Sequence, residues 1–179
     1  MSQKPVQLIP MLCVRCQWPI PAELDETAWV CEQCGQGLLL DDVRGLCAQD
    51  VFFSKAIEAG KKGQPFWVTR GQVTVTRRET YKGDSSLEMR EFWAAPRLFF
   101  IAAYQTSLDD IVSTGVSLLR RPIAMEPGSP VPFLPVVTPP DDVHALAEFM
   151  VVSVEAERRD ALKYLEFTLD IEPPQLWIL

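Results

Sequence analysis

The stretch "CVRCQWPIPAELDETAWVCEQCG", Cys13–Gly35, holds four of the chain's five cysteines, in two Cys-x-x-Cys pairs with fourteen residues between them. The chemistry such thiols do best is to hold a metal ion. A tetrahedral thiolate site needs two knuckles, each aiming two sulfurs at one point, and Cys-x-x-Cys does this within one tight turn. A glycine after the second cysteine permits the positive φ that the turn needs. Cys34-Gly35 has it; Cys16-Gln17 lacks it. Four sulfurs leave no open position, so an ion held this way is structural rather than catalytic. Cys47 stands apart, thirteen residues past Cys34, and is expected to be a small buried hydrophobe.

Two elements must position the knuckles. "AWV", Ala28–Val30, predicts a strand feeding the second. "WPIPAELDET" predicts the loop or ribbon tip between them, set by Pro19 and Pro21. This stretch, over residues 12–40, resembles the zinc-ribbon family. The resemblance implies Cys13, Cys16, Cys31 and Cys34 as ligands of one structural Zn2+. Such sites supply roughly 10–16 kcal/mol of binding energy that becomes folding energy. A rubredoxin-like iron site is the chemical rival, because Fe and Zn both accept four thiolates. Rubredoxin-like knuckles usually carry glycine after both pairs, and Gln17 departs from that.

The domains expected are a ribbon over 1–47 and an α+β domain over 48–179, with an antiparallel sheet and two or three helices. "AQDVFFSKAIEAGKKGQ" (48–64) predicts a short helix stopped by Gly60–Gly63. "PFWVTRGQVTVTRRETY" predicts a strand, "KGDSS" a turn, "LEMREFW" a loosely alternating strand, and "RLFFIAAY" a strand buried on both sides. "SLDDIVSTGVSLLRR" carries the strongest helix signal: Ser107 as cap, Asp109 and Asp110 at the start, Arg120 and Arg121 at the end, then Pro122. Leu108, Ile111, Val112 and Leu119 would be its apolar stripe.

Residues 122–140 hold seven prolines in nineteen, which excludes regular helix or central strand. The segment is either a polyproline-II ligand or an extended crossover on its own domain, and the crossover is preferred. "DDVHALAEFM" predicts a short helix and "VVSVEAE" a strand, with one long helix from Asp142 to about Phe167 as the competing assignment. "LEFTLDIE" predicts a strand with Leu165, Phe167, Leu169 and Ile171 on one face.

Other chemistry is sparse. His144 is the only histidine, and a surface or core role is expected for it. No nucleophile elbow, phosphate loop, dinucleotide fingerprint or His-Glu-x-x-His is present. Asp41-Asp42, Asp109-Asp110 and Asp141-Asp142 fall near predicted turns or helix starts, where capping explains them. The expectation is a non-enzymatic protein that binds or assembles with protein partners.

The charge is −7, and residues 1–47 carry three basic side chains (Lys4, Arg15, Arg44) against six acidic ones. That argues against nucleic acid as a partner. Basic residues do gather over 55–97, nine against five acidic, with Trp67, Tyr81, Phe92 and Trp93 among them. A solvated sheet face with core aromatics is preferred there over a nucleic-acid surface. The alternatives kept are a nucleic-acid-associated zinc-ribbon protein and rubredoxin-like electron transfer. "MSQKPVQLIPML" is a poor signal peptide and no apolar run spans a bilayer, so a cytoplasmic chain with reduced thiols is expected. The uncharged run Leu176, Trp177, Ile178 and Leu179 would be buried, on its own sheet or in a partner.

Overall fold

Two sheets meet along the proline-rich segment in the computed structural model, which describes residues 9–179. The expectation for the first eight residues lies outside that range. The N-terminal sheet is small and antiparallel, in the order β1 (Ala28–Val30), β2 (Gly37–Asp41), β3 (Gly45–Ala48). Asp41 closes the β2–β3 turn, its Oδ1 accepting the N–H groups of Val43 and Arg44 at 2.9 and 2.7 Å. Ile20, Trp29 and Leu38 pack with Cys13 and Cys31 into a core local to this sheet.

The larger sheet is built on β5 (Pro65–Lys82), one strand of 18 residues. β6 (Arg97–Ala102) pairs with its first half on one edge. On the other edge β7 (Ala161–Ile171) pairs with Gly71–Lys82, and β8 (Gln175–Ile178) with Pro65–Val68. β7 and β8 therefore follow one another along the same edge, interrupted by Pro173-Pro174, which have no N–H to donate. β4 (Val51–Phe53) completes the sheet beside β8. The fold is α+β as expected, and the sheet is antiparallel except for this one parallel pair.

Three helices follow: α1 (Ser86–Trp93), α2 (Leu108–Arg120) and α3 (Val143–Ala156). Ser107 caps α2, its Oγ accepting the Asp110 N–H at 3.1 Å. Its buried stripe is Gly115, Val116 and Leu119, while Leu108 stays half exposed. A side chain at Gly115 would collide with Met150 of α3, so glycine lets the two helices close. Trp67, Phe99, Ile101, Leu169 and Leu176 share the main core with α2 and α3. Phe66, Phe100 and Trp177 fill a second layer, so β6 is buried on both sides.

Three expected elements differ. Residues 48–64 hold no helix: Val51–Phe53 is strand β4, because it pairs with Leu176–Ile178, far away in sequence. "LEMREFW" is helix α1, because Met89 and Trp93, four apart, are its buried pair. "VVSVEAE" is helix to Ala156, because Val143, Ala147, Met150, Val151 and Val154 form one buried stripe. The chain then leaves the helix and enters β7, which also sets aside one helix running to Phe167.

The proline-rich segment ties the two sheets together. Pro127, Phe133 and Val136 form single bridges with Ser54, Gly63 and Ala28. The Thr27 N–H donates to the Val136 carbonyl at 2.7 Å, and the Trp67 indole N–H to the Thr138 carbonyl at 2.7 Å. Among the described residues no helix is long and apolar enough to cross a membrane.

Candidate metal centre

The two Cys-x-x-Cys turns have the same backbone. The Cys13 N–H donates to the Trp18 carbonyl and the Cys31 N–H to the Gln36 carbonyl, both at 2.8 Å. The Gln17 N–H returns to the Cys13 carbonyl at 2.9 Å, and the Gly35 N–H to the Cys31 carbonyl at 2.8 Å. Both turns close on a positive φ, 71° at Gly35 and 61° at Gln17. A left-handed conformation is uncommon for a side-chain-bearing residue, and the Gln17 Nε2 amide also donates to the Cys13 carbonyl at 3.2 Å.

These twin turns bring four sulfurs together. Cys13, Cys16, Cys31 and Cys34 place their Sγ atoms within 4.8 Å of one another. Cys13–Cys34 and Cys16–Cys31 are each 3.6 Å apart. That is too long for a disulfide. It suits a tetrahedron of thiolates, whose edge is about 3.8 Å for metal–sulfur bonds of about 2.3 Å. The donor set therefore fits a metal ion that takes four sulfurs. Cys13 and Cys31 are buried, Cys16 is exposed, and the Arg15 N–H points at the Cys13 sulfur from 3.4 Å.

Proton affinities fit the same use. Burial pushes the Cys13 thiol up, but the N–H groups of Cys16 and Arg15 and the Cys34 and Cys16 thiols outweigh it and bring it to about 6. At Cys16 the Trp18 N–H lowers the value, yet burial and the Cys34, Cys31 and Cys13 sulfurs override it and push it to about 12. Sulfurs this close do not all ionise until a cation sits among them.

The remaining candidates lie elsewhere. Cys47 is on β3, half-buried, with its thiol 3.6 Å from the Gly45 carbonyl. His144 opens α3, far from the cysteines in sequence. Of the basic stretch, Arg78 is buried in ion pairs with Glu155 and Asp160, Arg77 pairs with Glu79, and Arg97 lies over the Phe92 ring, 3.7 Å from its centre. Trp67 and Trp93 are core residues. The sequence marked Gln17 only as a departure from glycine and did not flag Trp18. The one available signal was that both pairs are followed by two residues, Gln-Trp and Gly-Gln, that close equivalent turns. Trp18 is 51% exposed and lines, with Pro132 and Phe133 of the proline-rich segment, a groove of about 470 Å³. Compared with protein-family models, with curated proteins and with solved structures, the chain matches none.

Proposed function

We propose that the chain is a non-enzymatic module, stapled by one structural zinc ion, that binds another protein within a larger assembly. The observation that carries this reading is the closed set of four sulfurs. It supplies every ligand of a tetrahedral ion and leaves no position for a substrate or a water. Zinc-ribbon likeness in the knuckles supports the metal assignment, and free thiols at all five cysteines suit a reducing, cytoplasmic setting. The half-exposed Trp18 supports the binding role, since tryptophan is enriched where proteins touch. His144 is engaged with a backbone carbonyl, and the buried carboxylates Glu155 and Asp160 are neutralised by arginine. Neither is poised for acid–base chemistry. Nucleic acid is not the partner in this reading: the net charge is −7, Arg78 is buried in ion pairs and Arg77 is paired with Glu79.

A second reading, rubredoxin-like electron transfer, is favoured by one observation. Gln17 adopts the φ that glycine would supply, so the first knuckle is no poorer a fit for iron than the second. Metal analysis of protein purified without added metal separates the two. The expected result is about one zinc per chain and a colourless solution; iron with visible absorption would establish the second reading. Co-purification of a protein partner from the native cell, lost in Trp18→Ala with metal content unchanged, is expected for the binding role.

A further inference from the structure

β7 leaves one edge unpaired. β5 occupies the other, and among the described residues no strand or loop hydrogen-bonds along the free one. The Glu166 carbonyl faces β5, where it accepts the Thr76 hydroxyl at 3.2 Å. Alternation then turns the N–H and C=O groups of Leu165, Phe167 and Leu169 outward. His144 marks the same direction. Its Nε2 lies 3.0 Å from the Leu169 carbonyl, and since a carbonyl only accepts, Nε2 carries the proton. That one contact caps the Leu169 carbonyl; the outward groups of Leu165 and Phe167 keep their capacity. An open edge of this kind is a template for another strand.

α3 runs beside the edge. Ala145, Phe149 and Val152 recur at helical spacing and form, with Leu165 and Phe167, the walls of a groove of about 430 Å³. Phe149 is 54% and Val152 43% exposed, so the helix stays apolar past the point where the sheet stops. Two carboxylates lie at the groove, Glu148 on α3, 3.8 Å from the His144 ring, and Glu166 on β7. Lys163, the cation on β7, is held by Glu79 at 3.3 Å.

We propose that this groove takes an extended segment of a partner protein, added to the sheet as a strand beside β7, with apolar residues alternating with Lys or Arg. The backbone groups of Leu165 and Phe167 would supply the ladder, the α3 stripe would take the apolar side chains, and Glu166, which alternation turns to the other face of β7, would pair with the cations on that face. Adding a strand in a groove between a sheet edge and a helix is a known mode of peptide recognition. The proposal rests on the reading of the chain as a protein-binding module and names a surface and a partner chemistry for it.

The test uses the whole chain, amide-labelled for NMR, and a capped peptide of about eight residues, a common strand length, alternating lysine with valine. The control has the same composition with the lysines in one block and the valines in another. The alternating peptide is expected to bind at least about tenfold more tightly than the block peptide, and to shift and protect the amides of Leu165, Phe167 and Leu169. The variant Glu166→Lys should weaken binding by about tenfold or more with an unchanged melting temperature and metal content. Equal binding of the two peptides, shifts centred elsewhere, or no binding at millimolar peptide would overturn it. So would a concentration-dependent dimer that protects the same amides without peptide, which would make the occupant a second copy. None of these outcomes bears on metal content or on partner loss in Trp18→Ala, so failure of this groove is distinguishable from failure of the module reading.

Discussion

Gln17 holds a φ of 61° in a position where its counterpart is Gly35 at 71°. For a residue with a Cβ, the left-handed region costs roughly 1 kcal/mol or more. The bond from its Nε2 to the Cys13 carbonyl offsets part of that. Gln17→Gly should therefore change stability little or raise it by up to about 1 kcal/mol. Gln17→Val, which is β-branched and has no amide, should lower it by about 1–3 kcal/mol. Chelator challenge of the loaded protein, followed by thermal melting, checks both. A Val variant as resistant as wild type would show that the turn does not depend on this conformation. The four sulfurs were legible because their spacing is local: two residues inside each pair fix the turn. Gln17 was not, because the turn imposes its conformation on whatever residue arrives there.

Two elements and the turn after α3 converge on Glu155 at the end of α3. Its Oε2 accepts from Arg78 of β5 at 3.0 Å, its Oε1 from the Trp93 indole of α1 at 2.8 Å, and Arg158 bonds to both oxygens. Arg78 also forks onto Asp160, at the head of β7, at 2.6 and 2.7 Å. The three side chains are at most 4% exposed. Arg78→Met would leave the buried Asp160 carboxylate without a cation, while Glu155 keeps Arg158, an expected loss of about 3–5 kcal/mol. Arg78, first, and the Ser85 N–H outweigh burial and hold the Asp160 carboxyl down at about 2, below the roughly 3.9 of an unfolded chain. Its contribution is therefore complete above about pH 4 and is lost as pH falls towards 2. Urea midpoints of wild type and Asp160→Asn should differ at pH 6 and converge near pH 2; a constant gap would show that Asp160 is not the titrating group. This junction also explains what the sequence left unread. β5, β6, α2 and β7 were legible because each carries its own period or caps. α3 beyond Met150 was misassigned because Val151, Val152 and Val154 favour strands by only tenths of a kcal/mol, and burial of Val151 and Val154 overrides that. β4 was illegible because its partner is Leu176–Ile178, and no local window contains both.

Across the whole molecule the two sheets differ in what holds them. The N-terminal one has few buried apolar side chains of its own, so removing the proposed metal ion should melt β1–β3 first. Hydrogen exchange should then show Leu38 and Leu40 losing protection while Phe99–Ala102 keep it; uniform loss would mean that the sheets unfold as one. The larger sheet is held from its middle by β8. Val51–Phe53 pairs on one side of that strand and Pro65–Val68 on the other, and the Trp177 ring stacks on Phe52 with centres 5.0 Å apart. Leu176, Trp177 and Ile178 are buried, worth together about 5–9 kcal/mol at roughly 1.5–3 per side chain. Deleting Leu176–Leu179 would also leave β4 without a partner strand and expose one edge of β5. The loss matches the whole stability of a typical domain, about 5–15 kcal/mol. The deleted chain should therefore fail to fold, with amide signals collapsed to the random-coil range. Trp177→Ala should fold and lose about 3–5 kcal/mol, which keeps the strand testable even if the deletion gives no soluble protein. A truncated chain that stays folded and fails only to assemble would place β8 in a partner's sheet, and native stability in both variants would refute its central position altogether.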